Sequence, residues 1–144
     1  MLIGIFGESC TGKSTLAEKI AADFPCEIYT GKDYLRFAKN ENIAKVVFQK
    51  KLAAAVSGEN IIYVISEPEH LDLLPEGALR ILVTADLERI KSRFAQRMRG
   101  NLPGPVAAML EKKHGCFDAQ PRDIHVISGE TDPETIAARI RQGM

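Results

Sequence analysis

The sequence predicts an α/β fold, a five-stranded parallel sheet with helices on both faces, in one domain over residues 1–144. Three observations predict it. Short apolar runs alternate with segments of helical periodicity along the whole chain. The central run, Ile61-Ile62-Tyr63-Val64-Ile65, is apolar almost without interruption, as a parallel strand covered on both faces must be. The first run, Leu2 to Phe6, passes directly into a glycine-rich turn that opens a helix.

That turn reads Gly7-Glu8-Ser9-Cys10-Thr11-Gly12-Lys13-Ser14, the G-x-x-x-x-G-K-[ST] pattern of a phosphate-binding P-loop, and it makes the predicted fold that of a P-loop NTPase. Each residue type answers a physical need. Gly7 and Gly12 let the backbone turn so that successive N–H groups point at one anion. The helix beginning near Lys13 adds the positive end of its dipole. Lys13 supplies a full charge to the terminal phosphates, and Ser14 a hydroxyl to Mg²⁺. The expected nucleotide-binding residues are Gly7 through Ser14 together with Thr15.

Leu16, Ala17, Ile20, Ala21 and Phe24 recur at helical spacing and predict a helix over about 13–23, ended by Pro25. Cys26 to Thr30 reads as a second strand, and Gly31-Lys32-Asp33 as a turn or helix start. Ile43, Val46, Val47, Leu52, Ala55 and Val56 mark a helix across about 41–56, closed by Ser57-Gly58. The central strand then ends in Ser66-Glu67-Pro68. Leu79 to Val83 is the fourth strand, and Asp86 to Arg99 a helix with Leu87, Ile90, Phe94 and Met98 on one stripe. Gly100-Asn101-Leu102-Pro103-Gly104-Pro105 breaks the chain before a short helix holding Val106, Met109 and Leu110, so residues 94–113 form a short lid-like segment. Ile124 to Ile127 is the fifth strand. Asp132-Pro133-Glu134 supplies an N-cap, a first-turn proline and a first-turn acid to a final helix containing Ile136 and Ile140.

Candidate site residues gather at the carboxyl ends of these strands, where open α/β sheets bind ligands. Glu67, ending the central strand, stands where P-loop enzymes place the acid that fixes Mg²⁺. Ser14 and Glu67 are therefore the expected metal-holding pair. Arg89, Arg93 and Arg97 recur every four residues and form one cationic stripe whose mutual repulsion an anionic ligand would relieve. Thr30, Lys32, Asp33 and Arg36 follow the second strand. Asp33 and Arg36, one turn apart, are positioned for a second substrate. Lys112-Lys113-His114 reads as a solvated helix end.

The bulk composition narrows the function classes. Hydrophobic residues make up 45% and charged residues 26%, both ordinary globular values. Nineteen basic residues balance nineteen acidic ones, so nothing global points to nucleic acid or a membrane as partner. No stretch has the length of a membrane span. Three cysteines, Cys10, Cys26 and Cys116, without C-x-x-C spacing, read as the reduced thiols of a cytoplasmic protein, and the scattered His70, His114 and His125 suggest no zinc site.

On these residues the chain resembles the nucleoside-monophosphate kinase group and its small relatives, the cytidylate-kinase-like and shikimate-kinase-like proteins. Thr30-Gly31-Lys32-Asp33-Tyr34-Leu35-Arg36 is similar to the Thr-Gly-Asp-x-x-Arg segment of adenylate kinases with one residue inserted. Arg89-Ile90-Lys91-Ser92-Arg93 matches their Arg-Ile-x-x-Arg. The resemblance implies that Arg89 packs on the base and Arg93 reaches the phosphates. Asp118 through Ile127 with Thr131-Asp132-Pro133 is similar to that family's last strand and base-side loop. Two features depart from adenylate kinase. Its Asp-Gly-Phe-Pro-Arg segment is replaced by Ser66-Glu67-Pro68-Glu69-His70, which lacks the acceptor-holding arginine, and the stretch from Arg93 to Lys112 is too short for a large lid.

The expectation is thus a phosphotransferase that moves the γ-phosphoryl of ATP, with Mg²⁺, onto a nucleotide, nucleoside or other small acceptor. Lys13, Arg89, Arg93 and Asp33 would be catalytic, Arg89 would also bind the nucleotide, and Thr30, Asp33 and Arg36 would bind the acceptor. Two alternatives stay open: a nucleotide-dependent regulatory ATPase or switch, and a kinase fold that binds without turnover.

Overall fold

The computed structural model describes residues 1–142. Five strands, β1 (Leu2–Phe6), β2 (Glu27–Thr30), β3 (Ile61–Ile65), β4 (Leu79–Thr84) and β5 (Ile124–Ile127), form one sheet in the order β2-β3-β1-β4-β5. Every neighbouring pair is parallel, with Leu2 opposite Ile61 and Ile3 opposite Leu79. Five α-helices connect or follow them: α1 (Lys13–Asp23), α2 (Glu41–Ala55), α3 (Leu87–Arg97), α4 (Gly104–Lys113) and α5 (Pro133–Gln142). Two 3-10 helices, Asp33–Phe37 and Pro68–Leu73, carry the chain away from β2 and β3.

The strand period of two distributes the core to both faces. Leu2, Phe6, Ile61, Tyr63 and Ile65 face α2 and the 3-10 helices, while Ile3, Ile5, Ile62, Val64 and Ile81 face α1 and α5. Phe48 of α2 pins the first face. Its ring lies 4.9 Å from that of Tyr63 and 5.5 Å from that of Tyr29, both edge to face. The chain runs from β1 to β2 and β3 on one side and crosses from β3 to β4 on the other, so a crevice opens at the carboxyl end of β1, where Gly7 begins.

Local chemistry sets the helix starts. Asn40 Oδ1 accepts the Ile43 N–H at 3.1 Å, Asp86 Oδ1 accepts the Arg89 N–H at 2.7 Å, and Asp132 Oδ1 accepts the Glu134 N–H at 3.0 Å. In contrast α1 has no side-chain cap. It opens on Gly12 in the left-handed region, φ 99°, which leaves its first N–H groups free for an anion.

The helix expected over 41–56 is present as Glu41–Ala55; the expected Leu52 and Ala55 are buried, but its first half turns a different stripe inward. Ala44, Phe48, Leu52 and Ala55 enter the core, whereas Ile43, Val46 and Val47 are exposed at 56%, 50% and 38%. Both stripes of this helix are apolar, and the aromatic cluster around Phe48 decides which one packs. Among the described residues no helix is long and apolar enough to cross a membrane.

Candidate functional site

The P-loop, residues 7–14, is held in shape by the protein's own contacts. The Gly7 N–H donates to the Ile65 carbonyl at 3.2 Å, which fixes the loop's start to β3. A Cβ on Gly7 would strike the Val83 carbonyl oxygen, so only glycine lets β1 leave the sheet so close to β4. Inside the loop the Glu8 carbonyl accepts twice, from Thr11 Oγ1 at 2.9 Å and from Lys13 Nζ at 2.5 Å. Cys10 takes a left-handed conformation, φ 64°, that costs on the order of 1 kcal/mol for a residue with a Cβ. In return its side chain is buried with Ala85, Ile90 and Leu110 beneath α3 and α4.

Lys13 is 5% exposed, and burial, the main cause, lowers its amine to about 8. Cys10 and Glu8 oppose that shift, and the Arg97 charge adds to it. A buried cation with a depressed pKa, hydrogen-bonded to its own loop, is one that an anion in the adjoining cavity would stabilise.

Two cavities open on either side of this loop. The first, about 590 Å³, lies between Gly12, Thr15, Arg93, Arg97 and the loop after β5 at Ser128 and Gly129. The second, about 550 Å³, is walled by Lys13, Ser14, Thr30, Lys32, Asp33 and Ser66, again with Arg97. Ser9 and Ser66 also border a third space of about 210 Å³ under the loop, beside Glu67, Lys113 and Cys116.

The expected residues fall into this frame unevenly. Lys13, Ser14, Thr30 and Asp33 come together in the second cavity. Arg93 lines the first and donates through Nη1 to the Cys10 carbonyl at 3.0 Å. Arg89 donates to the Ser128 carbonyl and sits behind Gly129, outside the cavity wall. Asp33 Oδ2 accepts from the Thr30 N–H at 2.8 Å and from Thr30 Oγ1 at 3.3 Å. Arg36 is not brought in. It is 67% exposed, lies 5.6 Å over the Tyr29 ring, and pairs with Asp33 at 3.7 Å. Glu67 pairs with Lys113 at 3.3 Å, so it is Ser66 rather than Glu67 that shares a cavity with Ser14.

The structure gives three residues named in the sequence more specific places, and adds the Ser128-Gly129 turn, which the sequence reading missed. Lys32 borders the second cavity, and Arg97 borders both. Ser128-Gly129 floors the first, and the small residues following a strand could have signalled a close approach. The Glu8 side chain, 11% exposed, accepts from the Gly115 N–H at 3.2 Å and contacts His114 Nδ1 at 3.0 Å, which ties the P-loop to the end of α4. A sequence separation of 106 residues leaves no local signal for that tie.

The donor set suits a hard cation. Among the described residues no group of three or more His, Cys, Asp or Glu could hold a metal. The hydroxyl-bearing Ser14 and Ser66 on one cavity wall fit Mg²⁺, which keeps several waters and takes its remaining ligands from phosphates.

No protein-family model and no curated protein matches the sequence. Solved structures do match. A shikimate kinase from Acinetobacter baumannii, in complex with shikimate, is 13% identical with a TM-score of 0.64, covering 98% of this chain and 90% of its own. A gluconokinase from Sinorhizobium meliloti 1021 is 15% identical with a TM-score of 0.62, at 98% and 93% coverage. A deoxyadenosine kinase from M. mycoides, with bound dATP, is 19% identical with a TM-score of 0.56, at 99% and 98% coverage. The fold is therefore the α/β P-loop NTPase fold in the form found in small kinases.

Proposed function

We propose that this chain is an ATP- and Mg²⁺-dependent phosphotransferase that moves the γ-phosphoryl onto a hydroxyl or phosphate of a small acceptor. The observation that carries the reading is the placement of two cavities of similar size on either side of one P-loop, one for a donor and one for an acceptor. The structural neighbours are kinases of three different acceptors, which supports the reaction class and leaves the acceptor to a nucleotide, nucleoside, sugar or similar small molecule.

The chain's part in such a transfer is positioning and charge neutralisation. The N–H groups of the loop and the Lys13 amine hold the β- and γ-phosphates. Ser14, with Ser66 beside it, would hold Mg²⁺, which when bound neutralises charge on the phosphates. Asp33 aligns the acceptor's hydroxyl and takes its proton. The bond from phosphorus to the β,γ-bridging oxygen breaks as the bond to the acceptor oxygen forms, and the bridging electron pair leaves with ADP. Thr30 keeps Asp33 in place through two hydrogen bonds. Arg93 holds the Cys10 carbonyl, and Arg89 the loop that floors the donor cavity.

The second reading, nucleotide binding with little or no turnover, draws on one observation: Glu67 is paired with Lys113 and lies outside the cavity of Ser14. Two measurements separate these readings. Mg·ATP at a hundredfold excess over Kd should add about 2.7 kcal/mol to stability, and Lys13→Ala should remove most of it. No stabilisation by Mg·ATP or Mg·GTP would end the P-loop assignment. Phosphoryl transfer is then assayed against nucleosides, monophosphates, sugars and cyclic polyols. Binding without transfer to any of them favours the second reading.

A further inference from the structure

The three arginines of α3 share one stripe, but their guanidinium groups meet different surroundings. Arg89 donates to the carbonyl of Ser128, and Arg93 to that of Cys10. Each ties the helix to a loop far away in sequence and shapes that loop. Arg97, one turn further on, is exposed, and among the described residues no hydrogen bond or ion pair occupies its guanidinium. Its location is distinctive. Cys10, Gly12 and Thr15 of the P-loop and α1 border both cavities, and among the described residues Arg97 is the only one from elsewhere in the chain that does so. A phosphoryl group passing from one cavity to the other has to cross that shared boundary.

Electrostatics point the same way. Besides burial, the Arg97 charge pushes the Lys13 amine down, and the two cations line one cavity, whose carboxylate, Asp33, is hydrogen-bonded to Thr30. A polyphosphate relieves that repulsion, and a planar guanidinium with several N–H donors suits two oxygens of one phosphoryl group.

We propose that Arg97 is the arginine that contacts the γ-phosphoryl group at the boundary of the two cavities, while Arg89 and Arg93 are positioning residues for the loops they hold. The inference rests on the phosphotransferase reading above. In the transfer Arg97 donates hydrogen bonds to non-bridging oxygens of the γ-phosphoryl and neither gains nor loses a proton.

The test is calorimetric binding of Mg·ATP and Mg·ADP, without acceptor, to the wild type, Arg97→Ala, Arg97→Lys and Arg93→Ala, with a thermal melt of each free protein. Arg97→Ala should weaken Mg·ATP on the order of 10- to 100-fold, as for lost hydrogen bonds to a charged group, and Mg·ADP by only about twofold. Its free melting temperature should not move. Arg97→Lys should fall between, having the charge but not the fork. Arg93→Ala should lower the free melting temperature and weaken both nucleotides alike, because the loop itself loosens. An unchanged ratio of ATP to ADP affinity in Arg97→Ala overturns the inference and leaves the phosphotransferase reading standing. A wild type that binds neither nucleotide overturns both.

Discussion

The two sides of the P-loop are held by different kinds of contact. Toward α3 the ties are long-range: Arg93 reaches Cys10 across 83 residues, Arg89 reaches Ser128 across 39, and Glu8 reaches the end of α4. Toward β2 the charged ties are local, beyond one anchor at Gly31, whose carbonyl accepts from the Tyr63 hydroxyl at 2.6 Å. Asp33 holds Thr30 three residues away, and Arg36 folds back onto Asp33. Long-range ties let the whole fold dictate the shape of the phosphate cradle. Local ties let a few residues dictate the shape of the acceptor side. The nucleotide half of such a protein is thus constrained globally, while on the acceptor half the polar side chains beyond the Gly31 anchor belong to one short segment that can be rewritten with less effect on the core.

Breaking the globally held half should produce the largest effect. Gly7→Ala places a methyl against the Val83 carbonyl oxygen, a backbone atom that cannot step aside without parting β1 from β4. The expected cost is about 3 kcal/mol in urea denaturation, with loss of stabilisation by Mg·ATP. A variant within about 1 kcal/mol of wild type that still binds nucleotide would show that the cradle is not held as rigidly as its contacts indicate.

A pH titration sharpens the same half. Burial holds Lys13 at about 8 in the folded protein against 10.5 in the unfolded chain. Between those values the unfolded chain retains a proton the folded one has released, so this residue's effect on stability becomes more favourable as pH rises through that window. Phosphate binding runs the opposite way, because it needs the charged amine. Affinity for Mg·ATP should be steady well below pH 8 and fall as pH climbs through it. Calorimetry at several pH values checks this, and the fall should be missing from Lys13→Arg, whose side chain stays charged.

The locally held half should give smaller and separable effects. Asp33→Asn should lower kcat on the acceptor by on the order of 10²-fold with Mg·ATP affinity unchanged, as for loss of a proton acceptor. Arg36→Ala should do least, within roughly 0.5 kcal/mol in stability and about twofold in acceptor KM, since its ion pair is exposed. An Arg36 variant that raised acceptor KM alone would place that arginine on the substrate and erase the contrast between the halves.

The same contrast explains what could be read from the sequence. The strands, the P-loop and the parallel sheet were legible because each rests on a short-range rule: apolar runs, glycine at fixed spacing, and the alternation of strand with helix; the cap Asp132 was legible in the same way. The stripe of three arginines was legible as a stripe. Which of them would find a carbonyl depended on Ser128 and Cys10, brought near by the fold. Glu67 stands at the expected strand end, and its ion pair with Lys113, placed opposite by α4, had no local signal in the sequence. For α2 the periodicity gave the helix, and the choice of face depended on a cluster of aromatic rings drawn from four separate segments.

The outward stripe of α2 has a consequence for the protein in solution. Ile43, Val46 and Val47 offer water a row of branched hydrocarbon, and the chain is isoelectric at about pH 6.8, so at neutral pH no net charge keeps copies apart. Colloidal stability is therefore lowest near the pH at which such a protein is ordinarily handled. It improves on moving well above the isoelectric point, where mutual repulsion returns, and a single Val46→Lys exchange on that stripe would supply repulsion at neutral pH without entering the core.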